Sequence, residues 1–358
     1  MPTAPRLRAA LSAIPAYRPG RAPAGGEGPS YKLSSNENPY PPLPSVLEVL
    51  AGADRDINRY PDMFATGLVR RLAERHGLQP EQVVCGTGSV GVLGQVVQAT
   101  CETGDEVVFA WRSFEAYPIV VGVSGARGVR VPLTEDARHD LPAMAAAVTD
   151  RTRLLLVCSP NNPTGPAVHE QEMRELLAAV PEDVVVVLDE AYTEFVRDPD
   201  AVVGPPLLAD HPNLVVLRTF SKAYGLASLR VGYALAHPLV ADALRATAVP
   251  FGVSGPAQAA ALASLDAEEE LLARVEQLVQ ERGRLRAALA DVGWDVPEPQ
   301  GNFVWLAAGE RTPELVAACE AAGVTVRGFP GEGARCSVGT PEADDLLVAT
   351  VAAFAPGR

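Results

Sequence analysis

DVVVVLDE, residues 183–190, decides the fold: four valines and a leucine run on without alternation and end in two acids. A strand with one wet face alternates apolar and polar residues. A run that is apolar at every position is covered on both faces, as in a parallel sheet flanked by helices. The segments around it have the same character: QVVCG (82–86), DEVVFAW (105–111), RGVRVPL (127–133), RLLLVCS (153–159), NLVVLRTF (213–220) and LRVGYALA (229–236). Between them lie helical patterns such as MFATGLVRRLAERHG (63–77), SVGVLGQVVQAT (89–100) and EQEMRELLAAV (170–180). The alternation predicts an α/β fold with a mostly parallel, seven-stranded sheet. Ligands in such sheets bind beyond the carboxyl ends of the strands, so chemistry is sought in the residues that follow each run.

The texture changes at about residue 254. One long helical stretch is expected over 257–293. Strands NFVWLAA (302–308), VTVRGF (324–329) and ARCSVGT (334–340) then alternate with helices at 312–323 and 342–354, a smaller α+β unit. Residues 14–44, rich in Pro, Gly and Asn, read as an extended arm that is neither helix nor sheet and lies on something, a partner subunit being the natural candidate. RLRAALSAIPA (6–16) reads as an amphipathic first helix rather than a secretion leader, because its apolar run is short and broken by Pro15. The domains expected are an N-terminal helix and arm (1–44), a large domain (45–245) and a small one (246–358).

The chain of 358 residues carries 30 basic and 44 acidic side chains, a net charge of −14, which argues against a nucleic-acid partner. No polybasic run or long apolar stretch points to a membrane. The five cysteines are widely spaced without a CxxC, and read as reduced core residues of a cytoplasmic protein. The scattered histidines give no metal-ligand spacing, so no metal is expected.

Of the basic residues only Lys32 and Lys222 are lysines. A guanidinium stays charged, whereas an amine can lose its proton and attack a carbonyl. Lys222 follows one strand, Asp189 ends another, and Asn162 lies in SPNNPTG (159–165) after a third. Gly86-Thr87-Gly88-Ser89-Val90-Gly91 matches GxGxxG between a strand and a helix. The acids some 20 residues on, Asp105 and Glu106, precede the next strand instead of ending it, which disfavours a dinucleotide site. Small residues opening a helix still offer backbone amides to an anion. An amine, a buried acid, an amide and an anion cradle suit pyridoxal 5'-phosphate (PLP): a Schiff base on Lys222, Asp189 against the pyridine nitrogen, Asn162 and Tyr192 for the phenolic oxygen, and the 86–91 loop with Ser221 and Arg230 for the phosphate.

SPNNPTG, LDEAY (188–192) and RTFSKAYGLASLR (218–230) resemble the fold-type I aminotransferases of the histidinol-phosphate aminotransferase group. The resemblance extends through SSNENPYPP (34–42), NRYPD (58–62), WRSFEAYP (111–118), GNFVWL (301–306) and ARCSVGT, nearly the whole chain. GTGSVG, WRSFEAYP and VPFGVS (249–254) look most like the aromatic-amino-acid (phenylalanine) aminotransferases of actinobacteria. The resemblance implies a homodimer with shared active sites and ping-pong transfer of an amino group from an aromatic amino acid to 2-oxoglutarate. Histidinol-phosphate transamination and amino-acid-phosphate decarboxylation are the alternatives. It gives Lys222, Asp189 and Tyr192 catalytic roles. Phe114 would stack on the ring, while Ser89, Val90, Thr219, Ser221 and Arg230 would hold the phosphate, joined by Tyr60 from the other subunit. Arg335 would bind the substrate's anionic end, Tyr17 would reach the pocket from the arm, and Arg327 is either a second anion contact or an exposed side chain. Val90-Gly91 stand where many members carry an acidic pair. Pro250-Phe251-Gly252 replaces a more polar triplet, which tilts the pocket at Phe251 toward apolar, aromatic side chains.

Overall fold

The structure, a computed structural model, describes residues 5, 7, 8, 10, 11, 14, 30–53 and 57–356. Tyr17, residues 15–29 of the expected arm and much of the expected first helix lie outside the described residues.

The strands are β1 (Tyr31–Lys32), β2 (Val83–Gly86), β3 (Glu106–Trp111), β4 (Arg127–Pro132), β5 (Thr152–Cys158), β6 (Val185–Asp189), β7 (Leu214–Thr219), β8 (Gly232–Ala236), β9 (Phe303–Leu306), β10 (Val324–Thr325), β11 (Arg327–Phe329) and β12 (Gly333–Ser337). The helices are α1 (Pro44–Gly52), α2 (Thr66–His76), α3 (Gly88–Thr100), α4 (Ala116–Ser124), α5 (Leu141–Ala146), α6 (Glu170–Ala179), α7 (Pro238–Ala246), α8 (Gly255–Asp266), α9 (Glu268–Asp291), α10 (Thr312–Ala321) and α11 (Pro341–Val351).

The main sheet has seven strands in the order β2-β8-β7-β6-β5-β3-β4. Only β8 runs against the rest, pairing antiparallel with both β2 and β7. The continuous apolar runs have the predicted cause. In β6, Val186 and Leu188 join the core on one face while Val187 joins the core on the other. Helix α3 buries Val92, Leu93, Val96 and Val97 against one face, and α6 buries Met173, Leu176 and Leu177 in the opposite core. With both faces dry, the carboxyl ends of β5, β6 and β7 become the place where the sheet meets a cleft.

Three expectations change. The arm is not free of sheet structure: β1 pairs parallel with β10, and Leu33 N donates to Thr325 O at 2.8 Å. VTVRGF is two strands, because β10 pairs with β1 whereas β11 turns into the antiparallel sheet β11-β12-β9. The single helix expected over 257–293 is divided into α8 and α9 at Ala267. Helix α8 packs on α1 and α2, while α9 packs on α11 and β9.

Candidate active site

A cleft of about 900 Å³, counting its open mouth, lies over the ends of β5–β7. Its lining includes Asn162, Asp189, Tyr192, Lys222, Arg230 and Arg335, six of the twelve expected residues that converge there. Asp189 is the last residue of β6, and the segment after β7 carries Ser221 and Lys222. Behind them Glu190 and Arg218 form a buried ion pair at 2.8 Å that ties the ends of β6 and β7 together.

Asp189 is 4% exposed. Its Oδ2 accepts from Tyr117 Oη at 3.0 Å, and its Oδ1 has no hydrogen-bond partner among the described residues. Burial raises its pKa to about 6, against the pull of the Tyr117 hydrogen bond, the Ala191 amide and Lys222. Lys222 Nζ donates to Ser35 O at 3.1 Å. Burial, with Arg335 and Arg230 adding repulsion, lowers its pKa to about 7, which leaves much of the amine unprotonated near neutrality. The Tyr192 hydroxyl accepts from Asn36 Nδ2 at 2.9 Å, and burial pushes its pKa up, so the phenol keeps its proton.

At one end of the cleft is a cup for an anion. Helix α3 begins at Gly88 with no side chain capping its first turn, leaving the amides of Ser89 and Val90 for a ligand. Gly88 has φ +75°, and a side-chain carbon there would collide with the Arg230 guanidinium. One at Gly232 would strike the Ser89 amide, so β8 must pass the helix without a side chain. Arg230 Nη1 donates to Ser221 Oγ at 3.3 Å, and Thr219 Oγ1 lies 3.0 Å from the same oxygen.

The opposite wall is cationic. Arg335 on β12 is buried, donating to Asn162 Oδ1 at 2.6 Å and to Ser34 O at 2.7 Å. Arg327 on β11 is no exposed side chain: it lines the cleft and meets Glu115 in a bidentate pair at 2.9 and 3.0 Å. Phe114 also lines the cleft, edge-on to Tyr117. Tyr60 and Phe251 are not in this cleft. Tyr60 is 83% exposed, and the two rings stack on each other 4.6 Å apart on the surface.

Sequence reasoning missed Tyr117, Asn36, Ser34 and Glu115. The signal for each was present, since all four fall inside the quoted motifs SSNENPYPP and WRSFEAYP. Neither motif says what its polar residues touch.

Comparison with known proteins agrees with this geometry. Residues 29–349 match the family model for aminotransferase class I and II. A protein of Streptomyces avermitilis named aromatic amino acid aminotransferase is 60% identical over 98% of both chains. One of the same name from Thermobifida fusca is 58% identical over 99% of this chain and 98% of its own. Among solved structures, histidinol-phosphate aminotransferase from Sinorhizobium meliloti, in complex with pyridoxal-5'-phosphate, superposes with a TM-score of 0.88 at 30% identity, covering 99% of this chain and 98% of that one. With a buried acid, an amine and an anion cup meeting at the sheet's carboxyl edge, and relatives matching end to end, this chain belongs to the class I and II aminotransferase family.

Proposed function

We propose that the chain is a PLP-dependent aminotransferase that takes amino groups from aromatic L-amino acids, phenylalanine foremost, and delivers them to 2-oxoglutarate in ping-pong order. The observation that carries the cofactor is Asp189 Oδ1, a buried carboxylate oxygen without a hydrogen-bond partner among the described residues, on the floor of a cleft shared with Lys222. A buried acceptor of this kind costs free energy unless a ligand satisfies it. A protonated pyridine nitrogen is such a ligand, and the α3 cup with Thr219, Ser221 and Arg230 suits its phosphate.

When bound, PLP supplies an aldehyde for an amine and a ring that takes up the electron pair left at Cα once its proton is removed. The protein's own groups do the rest. Asp189 Oδ1 accepts the pyridine N–H and keeps that proton in place. Tyr192 Oη and Asn162 serve the phenolic oxygen, and Phe114 covers a ring face. Lys222 Nζ, in its unprotonated form, would take the proton from substrate Cα and deliver it to the carbon on the far side of the amino nitrogen, C4′ of the cofactor. Arg335 receives the substrate carboxylate as a planar fork. Tyr60, exposed and stacked on Phe251, fits a homodimer in which it reaches the partner's phosphate site. Five free thiols, four of them buried, support a reducing, cytoplasmic setting.

The aromatic donor rests on the names of relatives at 58–60% identity. The test is a single turnover. The holoenzyme is mixed with L-phenylalanine alone, and one phenylpyruvate per site is expected as the visible band is lost. No product with phenylalanine, but turnover with histidinol phosphate, would move the assignment to the activity named for the Sinorhizobium structure. Carbon dioxide without a keto acid would make the chain a decarboxylase.

A further inference from the structure

Residues 33–38 cross the cleft as a strap tied to both sheets. On one side Ser337 N, at the end of β12, donates to Leu33 O at 2.8 Å, and Asn302 Nδ2 donates to Asn36 O at 3.2 Å. On the other, Lys222 Nζ donates to Ser35 O and Asn38 Nδ2 donates to Ala223 O at 3.0 Å. Asn36 sits at the centre, fully buried, in the left-handed region at φ 52°, where Asn is among the few side chains tolerated.

Its hydrogen bonds form a chain with one direction. Asn36 N–H can only donate, and it donates to Ser337 Oγ at 2.8 Å. The Ser337 hydroxyl proton then goes to Asn36 Oδ1 at 3.1 Å, because that oxygen meets no other acceptor among the described residues. A reversed carboxamide would strand this proton without an acceptor in a site 2% exposed, which is unfavourable. The amide NH₂ is thereby left facing Tyr192 Oη, which accepts from it at 2.9 Å. A phenol whose oxygen already accepts from the strap has its own proton to give elsewhere, and the cleft is the side that remains.

We propose that Asn36, with its direction set by Ser337, is a positioning residue that turns the Tyr192 proton into the cleft. This rests on the reading above, in which that proton meets the cofactor's phenolic oxygen. A donated hydrogen bond keeps such an oxygen anionic and lowers the pH at which the bound cofactor releases its own proton.

The experiment titrates the visible band of the holoenzyme with pH. Tyr192→Phe raises the midpoint by about one unit, a tenfold change in proton affinity. Asn36→Asp tolerates the same backbone but offers Tyr192 an acceptor instead of a donor. It raises the midpoint too, and Asn36→Gly raises it less. The charged and titratable neighbours of Tyr192, namely Arg335, Cys158, Asp189 and Lys222, are common to every variant. In a Tyr192→Phe background Asn36→Asp adds only the through-space effect of its charge, a clearly smaller shift. An equal shift in both backgrounds, or none with Tyr192 intact, would overturn the proposal. Should Asn36→Asp fail to retain cofactor, Ser337→Ala carries the test: it frees the amide to reverse, and an unchanged midpoint would be equally fatal. If Tyr192→Phe itself leaves the midpoint alone, the role of Tyr192 falls first, and that failure is distinguishable from the others.

Discussion

Asp189 and Lys222 reach the cleft from the ends of neighbouring strands β6 and β7, whereas Arg335 and Ser34, hydrogen-bonded at 2.7 Å, stand 301 residues apart in the chain. The floor is built by local rules. A dry parallel sheet ends, its last residues face a crevice, and whatever polar groups stand there become chemistry. The roof is built by closure, in which the strap at 33–38 and strands β11 and β12 are brought over the floor by contacts that belong to no single element. The floor should therefore govern the chemical step and the roof the binding of substrate, and each substitution below tests that division.

The largest effect belongs to the floor. Lys222→Ala removes the group proposed to move the Cα proton, and turnover should fall by about 10⁴-fold or more. Normal turnover would end the proposed mechanism. The same amine leaves a signature in the cofactor-free protein. Burial holds its folded pKa near 7, below the unfolded value of about 10.4. Between those values the unfolded chain binds the extra proton, so stability rises with pH across that window and is lost as pH falls through 7. Denaturant titrations of wild type and Lys222→Met should differ in that slope. Identical slopes would mean that the folded amine is charged.

Next is the pair behind the floor. Arg218→Met leaves Glu190 buried without its cation and should cost about 3–5 kcal/mol of stability. A loss under about 1 kcal/mol would mean that the pair does not brace β6 against β7. Asp189→Asn should keep the cofactor but remove the charge proposed to hold the pyridine nitrogen protonated, and removal of the Cα proton should slow by about 10²-fold or more. Stopped-flow kinetics with deuterated substrate would read this step directly, and unchanged rates would exclude Asp189 as the ring's partner. The roof follows. Arg335→Lys exchanges a fork for a point charge and should raise KM about tenfold for donor and acceptor, with kcat changed far less. A fall in kcat with KM unchanged would break the division between floor and roof.

Strand character at 183–190 and 213–220 is legible because burial on both faces leaves no room for polar residues. The cofactor-side residues follow because they stand at strand ends. Tyr117 is not legible in the same way. Its partner Asp189 is 72 residues on, and nothing in the order of the residues joins them. Asn36 is hidden for a related reason, since its partners Tyr192 and Ser337 lie in two different sheets' surroundings. The division between α8 and α9 escapes notice because Ala, Leu and Glu favour helix on both sides of Ala267, and tertiary packing turns the chain there. Arg327 could be either an anion contact or a surface side chain until β11 set it against Glu115. For Phe251 the motif implied a pocket position and for Tyr60 a reach to the other subunit's phosphate, and the single chain stacks the two on its surface.

The two lysines have a practical consequence. Lys32, beside Glu37, is 36% exposed, while Lys222 is held in the cleft with a depressed pKa. An amine-directed reagent small enough to enter the cleft therefore meets one exposed and one enclosed lysine in the same molecule. Peptide mapping after such labelling compares Lys222 with an internal standard, and bound cofactor should protect Lys222 alone.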